Sequence, residues 1–224
     1  MELLKGIGNK MKINEVIKHT NEVPVGDVLN IIKTNCYPFI TAMGGLSNAF
    51  MHPLFRGMEG VDFTINPLLK ISVNQYRTPK DTSPEVHKIA DRWFDRNTGI
   101  DFRSTSFFAT GSFNVAHGYA LRGITARIMP IGNFNYCWSP VYEDMTSDFE
   151  VYEENNIQDY ADEADTTIDD EDLIPDLVYD FLGNGNYQFN TGLLEAIESK
   201  HEIMFSCQSA LIISEYWIDD FLNK

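Results

Sequence analysis

Apolar positions along this chain recur with two periods, and the switches between them set out the elements. Val86, Ile89, Ala90, Trp93 and Phe94 share one face at helical spacing, which predicts a helix over Pro84–Asn97. Ser83 is its N-cap, Pro84 takes the first helical position, Glu85 and Asp91 lie in the opening turns, and Gly99 stops it. Ile100 then opens a stretch in which Arg103 to Thr110 alternates hydroxyls with aromatics, the pattern of a strand buried on one face. Gly111 ends it, and Ser112 or Asn114 caps a helix through Asn114–Leu121.

Further strands are predicted at Leu68–Val73, Gly123–Pro130, within Ile131–Pro140 beside a glycine turn, and at His201–Cys207. Met1–His19 reads as a short amphipathic helix or arm, and Gly26–Asn35 as a helix with Asp27 near its start. Tyr37–Phe50 is a turn region around Pro38 and Gly44-Gly45. Thr191 caps a helix over Leu193–Ser199, and Leu211–Leu222 is an apolar strand or helix closing the domain. The class is α+β, with an N-terminal helical segment over 1–50 packed on a domain over 51–224.

Charge narrows the function classes. Against 17 Lys+Arg stand 33 Asp+Glu, a net −16. General nucleic-acid binding needs a basic face, and an anionic membrane surface is disfavoured for the same reason. No window approaches 18 apolar residues, and the first ten residues lack the basic start and apolar core of a secretory signal. Cys36, Cys137 and Cys207 are scattered, and the five histidines show no ligand spacing, so a reducing, cytoplasmic setting without a metal site is expected. Glu143 to Asp180 carries 16 acidic residues and no basic ones, while Tyr142, Phe149, Tyr152, Tyr160, Leu173 and Ile174 supply apolar positions. The acidic segment, 143–182, therefore reads as helices lying over the core with a solvated outer face; shielding of a positive patch, nucleic-acid mimicry and cation binding are alternatives. No internal repeat and no glycine-rich phosphate loop is present.

Three stretches each carry one polar feature in an apolar setting. Arg56 follows Leu54-Phe55, where a charge is out of place unless it faces solvent, pairs with Glu59 or Asp62, or meets a ligand; Gly57 beside it permits close approach. Ser104-Thr105-Ser106 places three hydroxyls on the predicted strand, and each buried one needs a partner. Taken alone this is more often the wet side of an edge strand. Glu202 precedes Ile203-Met204-Phe205.

In order and character these stretches resemble the Arg…Ser-Thr-Ser…Glu signature of the ADP-ribosyltransferase superfamily, over roughly Leu54 to Cys207. The resemblance implies a split β-sandwich core with flanking helices, the acidic segment being an insertion. It implies an NAD-dependent mono-ADP-ribosyltransferase, a glycosyltransferase that consumes NAD as substrate and releases nicotinamide. Glu202 would stabilise the oxocarbenium-like ribose, Arg56 and Gly57 would meet the pyrophosphate, and Ser104, with Thr105 and Ser106, would bind ribose or hold Glu202. Alternation sets Ser104 and Ser106 on one face, with Ser104 preferred. Phe107, Phe108 and Tyr119 are the candidates to stack nicotinamide, and Arg77 is a rival phosphate ligand. Arginine-modifying members carry Glu-x-Glu, whereas Lys200 stands two before Glu202, so the implied acceptor is a macromolecule, a host protein first, with asparagine, a hydroxyl, a carboxylate or a nucleic-acid end all open in place of arginine. His201 is expected to point away from the site. A phage or bacterial effector in the host cytoplasm suits this profile. The alternatives are a non-catalytic acidic binding or decoy protein on the same fold, and a phage accessory structural protein.

Overall fold

The computed structural model of the chain describes residues 16–18, 25–60, 63, 68–73, 82–120, 123–165, 167 and 171–218. In order its elements are β1 (Val16–Lys18), α1 (Val25–Asn35), α2 (Tyr37–Ala42), α3 (Leu46–Met51), β2 (Phe55–Met58), β3 (Leu68–Ser72), α4 (Pro84–Thr98), α5 (Phe102–Thr105), β4 (Ser106–Ala109), α6 (Phe113–Tyr119), β5 (Ile124–Pro130), β6 (Asn135–Trp138), α7 (Met145–Glu163), α8 (Ile174–Asn184), β7 (Gln188–Phe189), α9 (Leu193–Ser199), β8 (Ile203–Ser206) and β9 (Ser209–Ser214). The fold is α+β, with two antiparallel sheets.

One sheet runs β1-β3-β9-β5-β2 and the other β4-β8-β6-β7. Alternation in the second sheet sends its residues to two different cores. Phe107, Ala109, Ile203, Phe205, Tyr136 and Trp138 join a cluster with Leu69, Ile71, Ile128 and Ile212 of the first sheet. Cys137 and Met204 turn the other way, into a cluster built by α4, α7 and α8. The molecule is thus layered as sheet, sheet and helices. Helices α1–α3 bury Val28, Ile32, Phe39, Ala49 and Phe50 in the inter-sheet cluster, sharing one core with the strands.

Local signals account for much of this. Ser83 caps α4 by accepting from the Val86 amide at 3.1 Å, and Gly99 ends it in the left-handed region at φ 76°. The acidic segment does fold over the core, because α8 carries a stripe of Leu177, Val178, Phe181 and Leu182 with no exposure. Burying each is worth on the order of 1.5–3 kcal/mol.

Four expectations are corrected. Val16–Lys18 is a strand rather than part of a helix, because β1 pairs with β3 in the register Val16↔Ser72; the rest of Met1–His19 lies outside the described residues. Tyr37–Phe50 forms two short helices broken at Gly44 and Gly45. The N-cap of α9 is Gly192, without a side-chain bond, not Thr191. The stretch from Phe102 to Thr105 is a helical turn, so the strand begins only at Ser106.

Candidate active site

A cleft of about 350 Å³ opens where the two sheets meet at one edge, and both Arg56 and Glu202 line it. Phe55 and Thr110 form an isolated antiparallel bridge there, with N···O distances of 2.7 and 3.0 Å, which ties β2 to the end of β4. β4 pairs with β8 in the register Ala109↔Ile203, so Thr110 stands beside the chain at Glu202. The Thr110 hydroxyl donates to the Lys200 carbonyl at 2.6 Å, and the Glu202 amide donates to the Glu143 carbonyl at 2.7 Å. Both bonds fix the turn that delivers Glu202, in which Lys200 takes φ 67°.

Arg56, on β2, is half-buried and donates from Nη1 to the Phe108 carbonyl at 2.8 Å. Gly57 also lines the cleft, but its second role is packing. A Cβ there would stand 2.3 Å from the Ala116 carbonyl oxygen and 2.5 Å from the Ala120 nitrogen, so it is the backbone of α6 that comes close.

Arg103, which sequence reasoning left out, also lines the cleft. It is 6% exposed, and its Nη1 lies 3.0 Å from Glu202 Oε1. Its Nη2 donates to the Thr146 hydroxyl at 3.2 Å, and its guanidinium carbon stands 4.7 Å from the centre of the Phe108 ring. Arg103 follows a phenylalanine as Arg56 does, but Asp101 and Ser104-Thr105-Ser106 around it make a charge unremarkable there.

The hydroxyl triplet divides. Ser104 belongs to α5, where the strand alternation that would have paired it with Ser106 does not operate. Its hydroxyl bonds Asp91 Oδ2 and stands 3.0 Å from His87 Nε2, and it does not line the cleft. Asp91, from α4, also accepts from the amides of Arg103 at 2.8 Å and Ser104 at 3.2 Å, the orphan donors of a helical turn. This is not a Ser-His-Asp relay. There the carboxylate holds the far imidazole nitrogen, whereas Asp91 bonds the hydroxyl itself and lies 3.5 Å from the same Nε2. Burial raises the Asp91 pKa from its ordinary 3.8, and the bonds from Ser104 and Arg103 offset that only in part. Thr105 donates to the Asp101 carbonyl at 2.9 Å, and Ser106 is buried at 3% on β4 opposite Ser206.

Among the aromatic candidates, Phe107 is 1% exposed in the inter-sheet core and is unavailable for stacking. Phe108 lines the cleft. Tyr119 stands 55% exposed at its rim and donates from its hydroxyl to Asp144 Oδ2 at 2.7 Å. Asp144 is also the N-cap of α7, accepting from Thr146 at 2.9 Å and Ser147 at 3.0 Å. His201 turns out of the cleft toward the Ser139 carbonyl, 2.9 Å from Nδ1. Arg77 lies outside the described residues.

In chemical terms the site offers two guanidiniums, Arg56 and Arg103, four carboxylates, Glu143, Asp144, Glu150 and Glu202, and an aromatic floor in a partly enclosed space, in a protein of net charge −16. Such a mixed set suits a ligand whose anionic part meets a guanidinium while an electron-poor centre lies at a carboxylate. Among the described residues no group of three or more His, Cys, Asp or Glu is arranged for a metal ion, and no helix is long and apolar enough to cross a membrane. Comparison with family models, curated proteins and solved structures finds no match to this chain.

Proposed function

We propose that the chain is an NAD-dependent mono-ADP-ribosyltransferase with an ADP-ribosyltransferase-like split β-sandwich at its core. One observation carries the reading. Arg56 and Glu202, separated by most of the chain and both singled out in the sequence, line the same cleft, and the strand that begins at the last residue of the Ser-Thr-Ser triplet runs between them.

The chemistry follows from the groups present. Arg56 meets the pyrophosphate of NAD, since a guanidinium in a site shielded from water binds phosphate oxygens strongly. Phe108 and Tyr119 supply aromatic surface for the nicotinamide. The bond between ribose C1′ and the nicotinamide nitrogen breaks, and its electron pair leaves with nicotinamide, which departs neutral. Positive charge grows on the ribose, and the Glu202 carboxylate stabilises it more in the transition state than in the ground state. A lone pair on a macromolecular acceptor then bonds C1′, and the acceptor proton passes to solvent. Lys200 stands where arginine-modifying relatives of this class carry a second glutamate, which favours an acceptor other than arginine. Ser104 serves the site indirectly, by locking α5 onto Asp91.

The test uses NAD labelled in the nicotinamide or in the adenylate, with the full chain, Glu202→Gln and a bacterial extract. The wild type is expected to release nicotinamide and to label a macromolecule, and Glu202→Gln to lose at least about a hundredfold in rate while still binding NAD. A wild type with no release, no label and no NAD-dependent thermal shift overturns the reading. Partner capture without NAD would then favour the acidic binding protein.

A further inference from the structure

Arg103 presents an energetic puzzle that the residues already assigned leave open. The guanidinium is 6% exposed, and its nearest charged neighbour is a carboxylate whose side chain is 17% exposed. Bringing such a pair out of water costs several kcal/mol per ion, and replacing one by apolar residues is often neutral or stabilising. The surroundings do not make Arg103 comfortable. Its Nε is buried without a hydrogen-bond partner, and its Nη1 has the Met204 sulfur at 3.9 Å as a further acceptor. A group held at such cost, for weak return in stability, is placed for what it does to its neighbour.

That neighbour is Glu202, and the way Arg103 is held shows how it would act. Its backbone is pinned by Asp91, through the 2.8 Å bond to its amide. Its ring contact is Phe108, its Nη2 is fixed by Thr146 at 3.2 Å, and Thr146 in turn shares a hydrogen bond of 2.8 Å with Thr82. Segments around residues 82, 108 and 146 therefore converge on one guanidinium, Asp91 pins the backbone that carries it, and it passes their rigidity to a single carboxylate oxygen. Glu202 itself stands at the mouth of β8, directly after a turn. Its backbone position is set, and Oε1 is the atom that Arg103 grips.

Resting on the reading given above, we infer that Arg103 is the positioning residue of Glu202: it holds the carboxylate by Oε1 and so orients it toward the ribose. Arg56, in the same cleft, has a different task. It donates to the Phe108 carbonyl, and in the function proposed above it meets the pyrophosphate. The two arginines thus separate into one for binding and one for catalysis, and the steady-state constants should separate with them.

The experiment measures nicotinamide release from NAD by the full chain and by Arg103→Met, Arg103→Lys and Thr146→Val. Misplacing a catalytic group by about 1 Å costs roughly a hundredfold, so Arg103→Met is expected to lose about that in kcat with KM within about threefold. Arg103→Lys keeps the charge without the fork, and is expected to recover about tenfold of the loss. Thr146→Val frees one end of the guanidinium and should lower kcat by about fivefold with the same unchanged KM. If Arg103→Met does not fold, the lysine and valine variants decide by the same split. A kcat within about threefold of wild type in all folded variants overturns the inference, as does a loss carried by KM alone, which would make Arg103 a ligand-binding group. A wild type that releases no nicotinamide overturns the underlying reading and this assignment together, whereas an active wild type with indifferent variants sinks the assignment alone.

Discussion

Arg56 and Arg103 meet at a single residue, Phe108, but use different parts of it. Arg56 donates to its carbonyl at 2.8 Å, and Arg103 lies 4.7 Å from the centre of its ring. A strand residue with one arginine on its backbone and another on its side chain couples the two cationic groups of the cleft through covalent geometry. Neither can shift far without moving β4.

The binding arginine gives the first prediction. Arg56→Ala removes a charge-assisted contact to an anion, worth about 1.5–3 kcal/mol, so the dissociation constant for NAD should rise by roughly ten- to a hundredfold. Arg56→Lys should recover part of this. Isothermal titration checks it, and unchanged NAD affinity in Arg56→Ala removes Arg56 from the ligand site.

Three glycines make a stability test with opposite signs. A Cβ on Gly111 would stand 1.8 Å from the Ile197 carbonyl oxygen and one on Gly57 2.3 Å from that of Ala116, whereas one on Gly118 meets nothing within 4 Å. Gly111→Ala and Gly57→Ala should each cost about 1–3 kcal/mol, because helix backbone must move. Gly118→Ala, inside α6, should gain about 0.5–1 kcal/mol. Thermal melts of the three variants decide, at roughly 2–4 °C per kcal/mol for a chain of this size.

Asp91 makes stability depend on pH. Its pKa in the fold is raised above the ordinary 3.8, so the folded state holds that proton more tightly than the unfolded chain does. The stabilisation tied to the proton is full below 3.8 and is lost as pH rises through the raised value. Urea titrations of the wild type and Asp91→Asn are therefore expected to differ by an amount that changes across the window just above 3.8 and is flat near neutrality. A constant difference through that window would show that Asp91 titrates normally.

The thiols should be inert in the native protein. Burial pushes Cys36 and Cys207 up to about 12, and Cys137 well above its ordinary value. Since the thiolate is the nucleophile, iodoacetamide at pH 8 is expected to label the native chain slowly and the denatured chain at all three cysteines. Fast native labelling at Cys36 would contradict its burial at 0% exposure.

What could be read in the sequence was local. Ser83, Pro84 and Gly99 bound α4 because caps and left-handed stops act within a few residues. Arg56 and Glu202 stood out because a charge in an apolar stretch needs an answer, and both line the cleft. The stretch Phe102–Thr105 misled because it runs into the hydroxyl–aromatic alternation that continues to Thr110 and suits a strand. What holds it as a helical turn is the Asp91 carboxylate, a residue of another helix, and no local pattern reports that. Arg103 was missed for the same reason. Its meaning lies in Thr146 and Glu202, 43 and 99 residues away. Gly57 was read as room for a ligand, and its Cβ direction proves to be filled by α6.

The bridge between Phe55 and Thr110 has a mechanical consequence. It binds the two sheets at the base of the cleft as a spine binds the boards of a book, so Arg56 and the strand leading toward Glu202 keep a fixed separation. Away from that bridge the Tyr119–Asp144 hydrogen bond spans the cleft, between a short exposed helix and the cap of α7. Widening to admit a substrate would therefore turn pages there, leaving the distances that matter for chemistry untouched.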